Sequence, residues 1–351
     1  MIERDKLHYN TTKIDGYNLP FNFIISEREA GKSTAIVLDK IYKAFIKYGL
    51  PSIVVRRKIV HITSVYIDDL AKILHKFVDE KIKFKYSKSD IKSGIVDVFI
   101  EDKLFIRVIA LSIDMTAYKS LLLKCAYIVY DEYICNTRLG EKYLKNEAFR
   151  FLELRKTFLR ENLNLKCYFM GNPYSKYTPY HMYFGIDTNK LKSGVILTDK
   201  TRYVIEAYKL TDELKAYILA NDPLYKFSDD YTKYSFDGVS INDANIMIAD
   251  KPQNFSLWAV FKVSDKMIGV YKNNDVTNLD YIFYVEFINF DISKKRDIYV
   301  FDFADMENNT QLYCNSDRFK FEKFKTAMRN RNIAFQNIEC YYLIEDIYYN
   351  I

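Results

Sequence analysis

Residues 21–33 read Phe21-Asn22-Phe23-Ile24-Ile25-Ser26-Glu27-Arg28-Glu29-Ala30-Gly31-Lys32-Ser33, and this stretch decides the fold. Its first five residues have the composition of a buried strand, and they run into a polar turn. Lys32 to Tyr48 then carries Val37, Ile41, Ala44, Phe45 and Tyr48 at helical spacing, with Gly49 placed as the C-cap. Between strand and helix, Ser26–Ser33 matches the phosphate loop G-x-x-x-x-G-K-[ST], the Walker A motif, at every position but the first, where Ser replaces Gly. In such a loop successive backbone N–H groups wrap a phosphate chain, the Lys spans the β- and γ-phosphates, and the hydroxyl ligates Mg²⁺. The helix N-terminus adds its partial positive charge. Ser26, Gly31, Lys32 and Ser33 are therefore the expected nucleotide ligands, with ATP and Mg²⁺ as the bound species. The two acids inside the loop, Glu27 and Glu29, are expected to point outward. Without a nucleotide, Ser33 would be an ordinary helix N-cap among solvated charges.

The same alternation continues downstream. Ser52-Ile-Val-Val-Arg-Arg57 reads as a buried strand ending in charge, and residues 63–79 as a helix with Tyr66, Leu70, Ile73, Leu74 and Phe77 on its apolar face. Short strands follow near 82–86, 95–100 and 104–111, the last two forming a hairpin about Glu101-Asp102-Lys103. Cys125-Ala-Tyr-Ile-Val-Tyr130 is a buried strand that runs into Asp131-Glu132. A helix near 145–161 leads to a second buried strand, Leu165–Met170, which ends in Gly171-Asn172-Pro173. Repeated β–α–β predicts a mainly parallel sheet with helices on both faces, and ligands then sit outside the carboxyl ends of the strands. Ser26, Asp131-Glu132 and Asn172 all fall there. A helix at 211–220 and a Tyr/Asp-rich stretch at 222–240 read as a connection. From Ser256 the pattern becomes consecutive strands: Trp258–Val263, Met267–Tyr271, Tyr281–Phe287 and Ile298–Phe301, expected as an antiparallel meander, then an amphipathic helix near 317–331. The expected organisation is an α/β domain over 1–200, a linker region over 201–240 and a smaller α+β domain over 241–351.

Composition narrows the class. With 10 Gly and 6 Pro in 351 residues, collagen-like, Gly/Ser-linker and Pro-rich chains are excluded. The 31 Tyr and 25 Phe read as compositional, not as a binding code. The net charge of +6 is uneven: residues 231–351 hold 14 basic and 17 acidic residues (−3), leaving 38 and 29 (+9) in the first 230. A basic front part suits a polyanion partner. Cys125, Cys135, Cys167, Cys314 and Cys340 form no CxxC pair, which argues for a reducing compartment and against a zinc site. His8, His61, His75 and His181 are dispersed and read as structural or surface residues. No uncharged apolar run approaches the ~18 residues of a membrane span, and Met1–Lys13 lacks the apolar core of a signal peptide. A cytosolic chain with no membrane partner is expected.

A second chemical motif is Tyr127-Ile-Val-Tyr-Asp131-Glu132, four apolar positions followed by two acids. This is the form of a Walker B strand, whose Asp holds Mg²⁺ and whose Glu polarises the attacking water as general base. Two acids at a strand end would also suit a plain turn. Arg155 and Arg160, on the helix before the Asn172 strand, have the placement of basic residues that reach a neighbouring subunit's γ-phosphate in ring ATPases, or of a solvated helix face. Asn172 has the placement of a γ-phosphate sensor, or of a turn residue before Pro173.

Together these residues resemble the DNA-packaging ATPases of small short-tailed phages with protein-primed linear genomes, a branch of the ASCE-type P-loop ring translocases. The resemblance rests on Ser26–Ser33, Phe45-Ile-Lys-Tyr-Gly49, Val54-Val-Arg-Arg-Lys58, Tyr127–Tyr133 and the strand ending at Asn172. It implies an ASCE ATPase domain followed by an RNase H-like, vestigial nuclease domain. It also implies a homopentameric motor driving double-stranded DNA into a procapsid in the host cytoplasm, docked at the portal vertex directly or through a packaging RNA. On this resemblance Lys32 and Ser33 bind nucleotide, Asp131 holds Mg²⁺ and Glu132 is the catalytic glutamate. Arg160 and Lys119 act in trans, and Arg56 holds Glu132 inactive between cycles, its bland alternative being a surface ion pair. The acids Asp291, Asp297, Asp302, Asp305 and Glu307 fall at expected strand ends and turns, and the first C-terminal strand carries none, so no cleavage activity is expected. Two rival readings remain at this level: a terminase-type ATPase with a working metal-dependent nuclease, and a structural or scaffold-binding protein with a degenerate phosphate loop.

Overall fold

The computed structural model describes residues 8–88, 90–136, 141–176, 178–188, 190–221, 247–263, 266–274, 281–289, 291, 296–301, 306–314, 317–330, 332–337, 339–341 and 343–344. The chain divides into two compact units, Met1–Ser240 and Ile241–Ile351.

In the first unit a short helix α1 (Thr12–Asp15) precedes β1 (Phe21–Ile25), which ends in the phosphate loop. The helix beyond the loop is continuous, as α2 (Lys32–Ile36), a π segment (Val37–Tyr42) and α3 (Lys43–Tyr48). Val37, Ile41, Ala44 and Phe45 are buried as the spacing predicts, whereas Tyr48 in the last turn is exposed. Next come β2 (Ser52–Arg56) and α4 (Ser64–Phe77), whose first turn is capped by the Thr63 hydroxyl accepting from the Tyr66 amide. The strands β3 (Phe84–Tyr86), β4 (Ile95–Ile100) and β5 (Lys103–Ala110) follow. The β4–β5 turn places Glu101 (φ 48°) and Asp102 (φ 64°) in the left-handed region, as a two-residue primed turn requires. Then come β6 (Tyr127–Asp131), α5 (Glu147–Leu159), β7 (Lys166–Gly171), α6 (Pro179–Phe184), β8 (Ile196–Thr198), β9 (Tyr203–Ala207) and α7 (Asp212–Asn221).

These nine strands form one sheet in the order β3-β4-β5-β2-β6-β7-β1-β9-β8. From β5 across to β9 every pairing is parallel; β3 and β4 at one edge and β8 at the other are antiparallel. All five residues of β1, β2 and β9 are buried, as expected for strands covered on both faces. The order sets β7 between β1 and β6, so the phosphate loop, Asn172 and Asp131-Glu132 emerge side by side at the carboxyl ends of these central strands. The sheet extends past the expected boundary at residue 200, because β9 pairs directly with β1. Much of the aromatic content serves as core: Phe23, Tyr130, Tyr133, Phe151, Phe169 and Tyr180 pack ring against ring beneath the site.

The second unit is an α+β sheet of β10 (Met247–Ile248), β11 (Phe255–Val263), β12 (Lys266–Asn273), β13 (Phe283–Phe287), β14 (Ile298–Val300), β15 (Thr310–Leu312) and β16 (Ile333–Phe335). Helix α8 (Arg318–Asn330) buries Phe321, Phe324 and Ala327, with Phe321 and Phe324 packed against Trp258. The order is β10-β16-β13-β12-β11-β14-β15. The first three long strands form the expected meander. The fourth does not continue it: β14 pairs parallel with β11, so the chain crosses to the far side of β11 instead of turning back beside β13. Of the acids weighed for cleavage, Asp291, Asp297 and Glu307 are exposed, and Glu307 is paired with Lys262. Asp302 and Asp305 lie outside the described residues. Among the described residues no three His, Cys, Asp or Glu side chains are grouped to hold a metal, and no helix is long and apolar enough to cross a membrane.

Candidate active site

The phosphate loop leaves β1 with the Ser26 amide donating to the Gly171 carbonyl at 3.2 Å. Two residues take left-handed backbone, Glu29 (φ 62°) and Gly31 (φ 86°). At Gly31 a Cβ would lie 2.9 Å from the His8 Cβ, so glycine is needed there for space as well as for φ. Ser26 keeps a negative φ, and the Ser-for-Gly exchange at the loop's first position therefore brings no backbone strain. Glu29 is exposed but lines the cleft, and Glu27 is buried, which corrects the outward reading for that residue.

Lys32 is buried at the head of α2. Its Nζ donates to the Ser26 carbonyl (2.8 Å), the Glu27 carbonyl (2.9 Å) and Asn172 Oδ1 (3.0 Å). Burial lowers its pKa to about 8, against the opposing pull of Asp131 and Glu27. Opposite it, β6 delivers Asp131 and Glu132. Arg56, at the end of β2, reaches both acids: Nη1 donates to Asp131 Oδ2 at 2.9 Å and Nη2 to Glu132 Oε2 at 2.6 Å. The Tyr66 hydroxyl donates to the same Asp131 oxygen at 3.1 Å, and the Tyr66 ring lies 4.5 Å from the Arg56 guanidinium. Burial raises the Asp131 pKa, while Arg56 opposes that shift. Burial works against the Arg56 charge, yet Asp131, Tyr66 and Glu132 overcome it and hold Arg56 above its ordinary pKa. Asn172 is fixed by Tyr174, whose hydroxyl accepts from Asn172 Nδ2 (3.1 Å) and from Arg28 Nη2 (2.9 Å).

These groups line one cleft of about 750 Å³, with Gly31, Lys32, Ser33 and Thr34 on one wall and Asp131, Glu132, Gly171 and Asn172 on another. The donor set fits a magnesium nucleotide: a loop of amides, a buried ammonium, a hydroxyl at Ser33 and a carboxylate at Asp131. Ser26, Gly31, Lys32, Ser33, Arg56, Asp131, Glu132 and Asn172 are thus brought together. Arg160 is not. It is exposed just beyond α5, before β7 begins, whereas the cleft opens where β7 ends. The six residues of β7 separate the two by roughly 17–20 Å at ~3.3 Å per residue. Arg155 is spent internally, donating to the Leu165 carbonyl and lying over the Phe21 ring. The side chain of Lys119 lies outside the described residues.

Residues 4–350 match the family model of the podovirus DNA encapsidation protein (Gp16). The chain belongs to this family. Among its relatives, the DNA packaging protein of Bacillus phage phi29 is 25% identical over 334 residues, covering 94% of each chain. That of Bacillus phage B103 is 27% identical over 339 residues, covering 92% of this chain and 94% of the relative. Two solved structures share the fold: the bacteriophage phi29 viral genome packaging motor assembly (TM-score 0.64, 21% identity, 98% and 99% coverage) and the phi28 gp11 DNA packaging motor (TM-score 0.62, 13% identity, 95% of each chain).

Several residues in and around the cleft carry no sequence signal of their own. Tyr66 reads as one more apolar-face residue of an amphipathic helix, and its hydroxyl matters only because α4 passes over the ends of β2 and β6. His8 and Tyr217 line the cleft from segments far apart in the chain, their rings 6.4 Å apart. Arg28 sits inside the phosphate motif at a position any residue can fill, and Tyr174 lies in the turn after β7.

Proposed function

We propose that this chain is an ATP-hydrolysing ring motor that drives double-stranded viral DNA into a procapsid. The observation that carries the reading is the single cleft in which Lys32, Ser33, Asp131 and Glu132 converge, with Arg56 bonded to both acids. Gly31, Lys32 and Ser33 would hold the phosphates, and Ser33 with Asp131 would hold Mg²⁺, which when bound neutralises charge developing on the phosphate oxygens. Lys32 must first leave the Ser26 and Glu27 carbonyls to face the phosphates. Glu132 must leave Arg56 before its carboxylate can take a proton from water, so Arg56 is a brake on the general base. Asn172, held by Tyr174 and already bonded to Lys32, moves with that ammonium and can report on it.

Because Arg160 lies before the amino end of β7, opposite the cleft of its own chain, it can meet a nucleotide only in another chain, and we assign it the trans-acting role; Lys119 is assigned alongside it. That requires a ring, for which five copies is the reading. DNA would be held through phosphates by the first unit, which carries the positive charge, making grip salt-sensitive and largely independent of sequence. The ring would dock on the portal vertex of the procapsid in the host cytoplasm, directly or through a packaging RNA. The second unit is given no cleavage role, its described candidate acids being exposed. The decisive experiment is phosphate release against protein concentration, with and without duplex DNA. Specific activity should rise with assembly, and Lys32→Ala and Glu132→Gln should each lose at least ~10²-fold. Full DNA-stimulated activity in either variant would overturn the proposal.

A further inference from the structure

β2 ends in Arg56 and Arg57 follows it directly, and because successive side chains of extended backbone alternate, they leave in opposite directions. Arg56 enters the cleft. Arg57 turns into the core, where 2% of its side chain is exposed, and meets Glu147, whose side chain is fully enclosed. Its Nε donates to Glu147 Oε2 at 2.9 Å, and its Nη2 donates to the backbone carbonyl of Tyr133 at 2.7 Å. Glu147 also accepts from the Tyr130 hydroxyl (2.7 Å), the Tyr180 hydroxyl (3.2 Å) and the Leu144 amide (2.8 Å).

Tyr133 follows Glu132, and Glu132 has φ 57°, a left-handed conformation that a residue with a Cβ adopts only when its surroundings impose it. The surroundings of this reversal come from the end of β7 and from the core behind it. The Tyr133 amide donates to the Met170 carbonyl at 3.1 Å. The Tyr133 hydroxyl meets His181 Nε2 at 2.8 Å, and His181 Nδ1 lies 2.6 Å from the Lys176 carbonyl. A carbonyl can only accept, so Nδ1 carries the proton and Nε2 accepts from Tyr133. Gly171 leaves room for the turn, since a Cβ there would lie 2.7 Å from Ile134 Cγ1 and 2.9 Å from Tyr133 Cε1.

We propose that Arg57 is a positioning residue for hydrolysis: anchored by Glu147, it clamps the Tyr133 carbonyl and so holds Glu132 in the left-handed backbone that aims its carboxylate into the cleft. Two successive arginines then act on one glutamate, Arg56 on its carboxylate and Arg57 on its backbone. A purely structural role explains the pair poorly. Desolvation offsets most of what a buried ion pair gains, and Glu147 already has three other donors. The one partner that only a guanidinium can add, while still bonded to Glu147, is the Tyr133 carbonyl. Releasing it frees the backbone after Glu132 without touching Gly31, Lys32 or Ser33, so the loss should fall on turnover and not on nucleotide binding.

The inference rests on Glu132 being the general base, and the test separates the two claims. Arg57→Lys keeps a cation for Glu147 but cannot span both partners. It should bind magnesium ATP within about threefold of wild type, lose at least about tenfold in DNA-stimulated kcat, and show about tenfold faster amide hydrogen exchange at Tyr133 and Ile134. Glu147→Gln leaves the carbonyl contact in place; it should be less stable yet keep kcat within about threefold. Should Arg57→Lys not fold, Arg57→Met/Glu147→Gln, which leaves no buried charge, carries the same expectation. Unchanged kcat and unchanged exchange on losing Arg57, or a kcat loss in both single variants that merely follows the folded fraction, overturns the proposal. If Glu132→Gln hydrolyses normally, the assigned base is wrong, while the exchange measurement still decides whether Arg57 clamps the turn.

Discussion

Replacing Arg56 with Met removes both of its bonds, and the two losses fall on different readouts. The Met side chain can still pack on the Tyr66 ring, so the change is mainly the loss of charge. The arm to Asp131 joins two buried groups, whereas Glu132 is half exposed, its side chain retaining 50% of its accessible surface. A hydrogen bond to a charged group is worth about 1.5–3 kcal/mol when dry, and exposure of one partner reduces that to about 1 kcal/mol. If the Glu132 arm must break before the carboxylate can act as base, removing it lowers the barrier by that amount. DNA-independent hydrolysis should then rise about fivefold, and the ratio of DNA-stimulated to basal rate should shrink by the same factor. Losing the Asp131 arm leaves a buried carboxylate with Lys32 as its nearest remaining cation, so stability without nucleotide should fall by about 3 kcal/mol. Saturating magnesium ATP should restore part of it by mass action. The assay is steady-state phosphate release at fixed protein concentration, with nucleotide affinity measured in parallel. A basal rate that is unchanged or lower, in a folded variant that binds nucleotide normally, refutes the brake and leaves Arg56 as an ordinary ion pair.

Three further outcomes can be checked. Mixing Arg160→Ala with Glu132→Gln subunits, each inactive alone, should restore hydrolysis, because an intact Arg160 then faces an intact Glu132 at some interfaces; no recovery at any ratio would remove Arg160 from the trans role. Lys32 must be charged to meet phosphates and has a pKa of about 8, so nucleotide affinity should fall as pH rises from about 8 toward 10, with proton uptake on binding. The sign for folding is opposite: the unfolded chain holds that proton up to about 10.4, so stability without nucleotide should rise over the same window. Lys32→Met should abolish both slopes, and equal slopes in the variant would contradict the assignment. Burial lowers the His181 pKa to about 4 from an ordinary 6.5, so the neutral ring favours the fold above pH 6.5 and loses that advantage as pH falls to about 4. The loss amounts to about 3 kcal/mol, and urea titrations of His181→Gln should lack this acid limb.

The fold was legible where one stretch carried its own pattern. β1, the loop and the following helix are contiguous, and the apolar runs at β2, β6 and β7 are uninterrupted enough to read as covered strands. β9 was missed because Glu206 interrupts Tyr203–Ala207. That carboxylate is buried at 4% exposure and accepts from the Tyr9 hydroxyl at 2.9 Å, a partner at the other end of the domain that no local pattern announces. The parallel placement of β14 was hidden for a related reason. A meander and a crossover share the same strand composition, and they differ only in the side of β11 to which the chain returns.

The site divides along the same line. Lys32, Ser33, Asp131 and Glu132 were legible because their chemistry is tied to a strand end or a helix start, which the sequence marks directly. Of what governs them, Arg56 was legible only through the family resemblance, and Arg57 was not. Arg56 and Arg57 are adjacent and chemically identical, yet one lies 2.6 Å from the Glu132 carboxylate and the other 2.7 Å from the carbonyl just beyond it. Only the strand's alternation, together with β6 as its neighbour, separates their roles. The same holds for charge. Residues 231–240 add one Lys and one Asp, so moving the division to the observed boundary at residue 240 leaves +9 on the first unit and −3 on the second. Arg56, Arg57 and Lys32 are buried and offer nothing to a DNA phosphate, but the same unit buries three acids, Glu27, Glu147 and Glu206. Among the described residues burial therefore leaves the net charge of the first unit unchanged while lowering the number of cations that can touch DNA. The salt slope of DNA binding should report only the exposed lysines and arginines that meet phosphates, with about one unit lost for each that is removed.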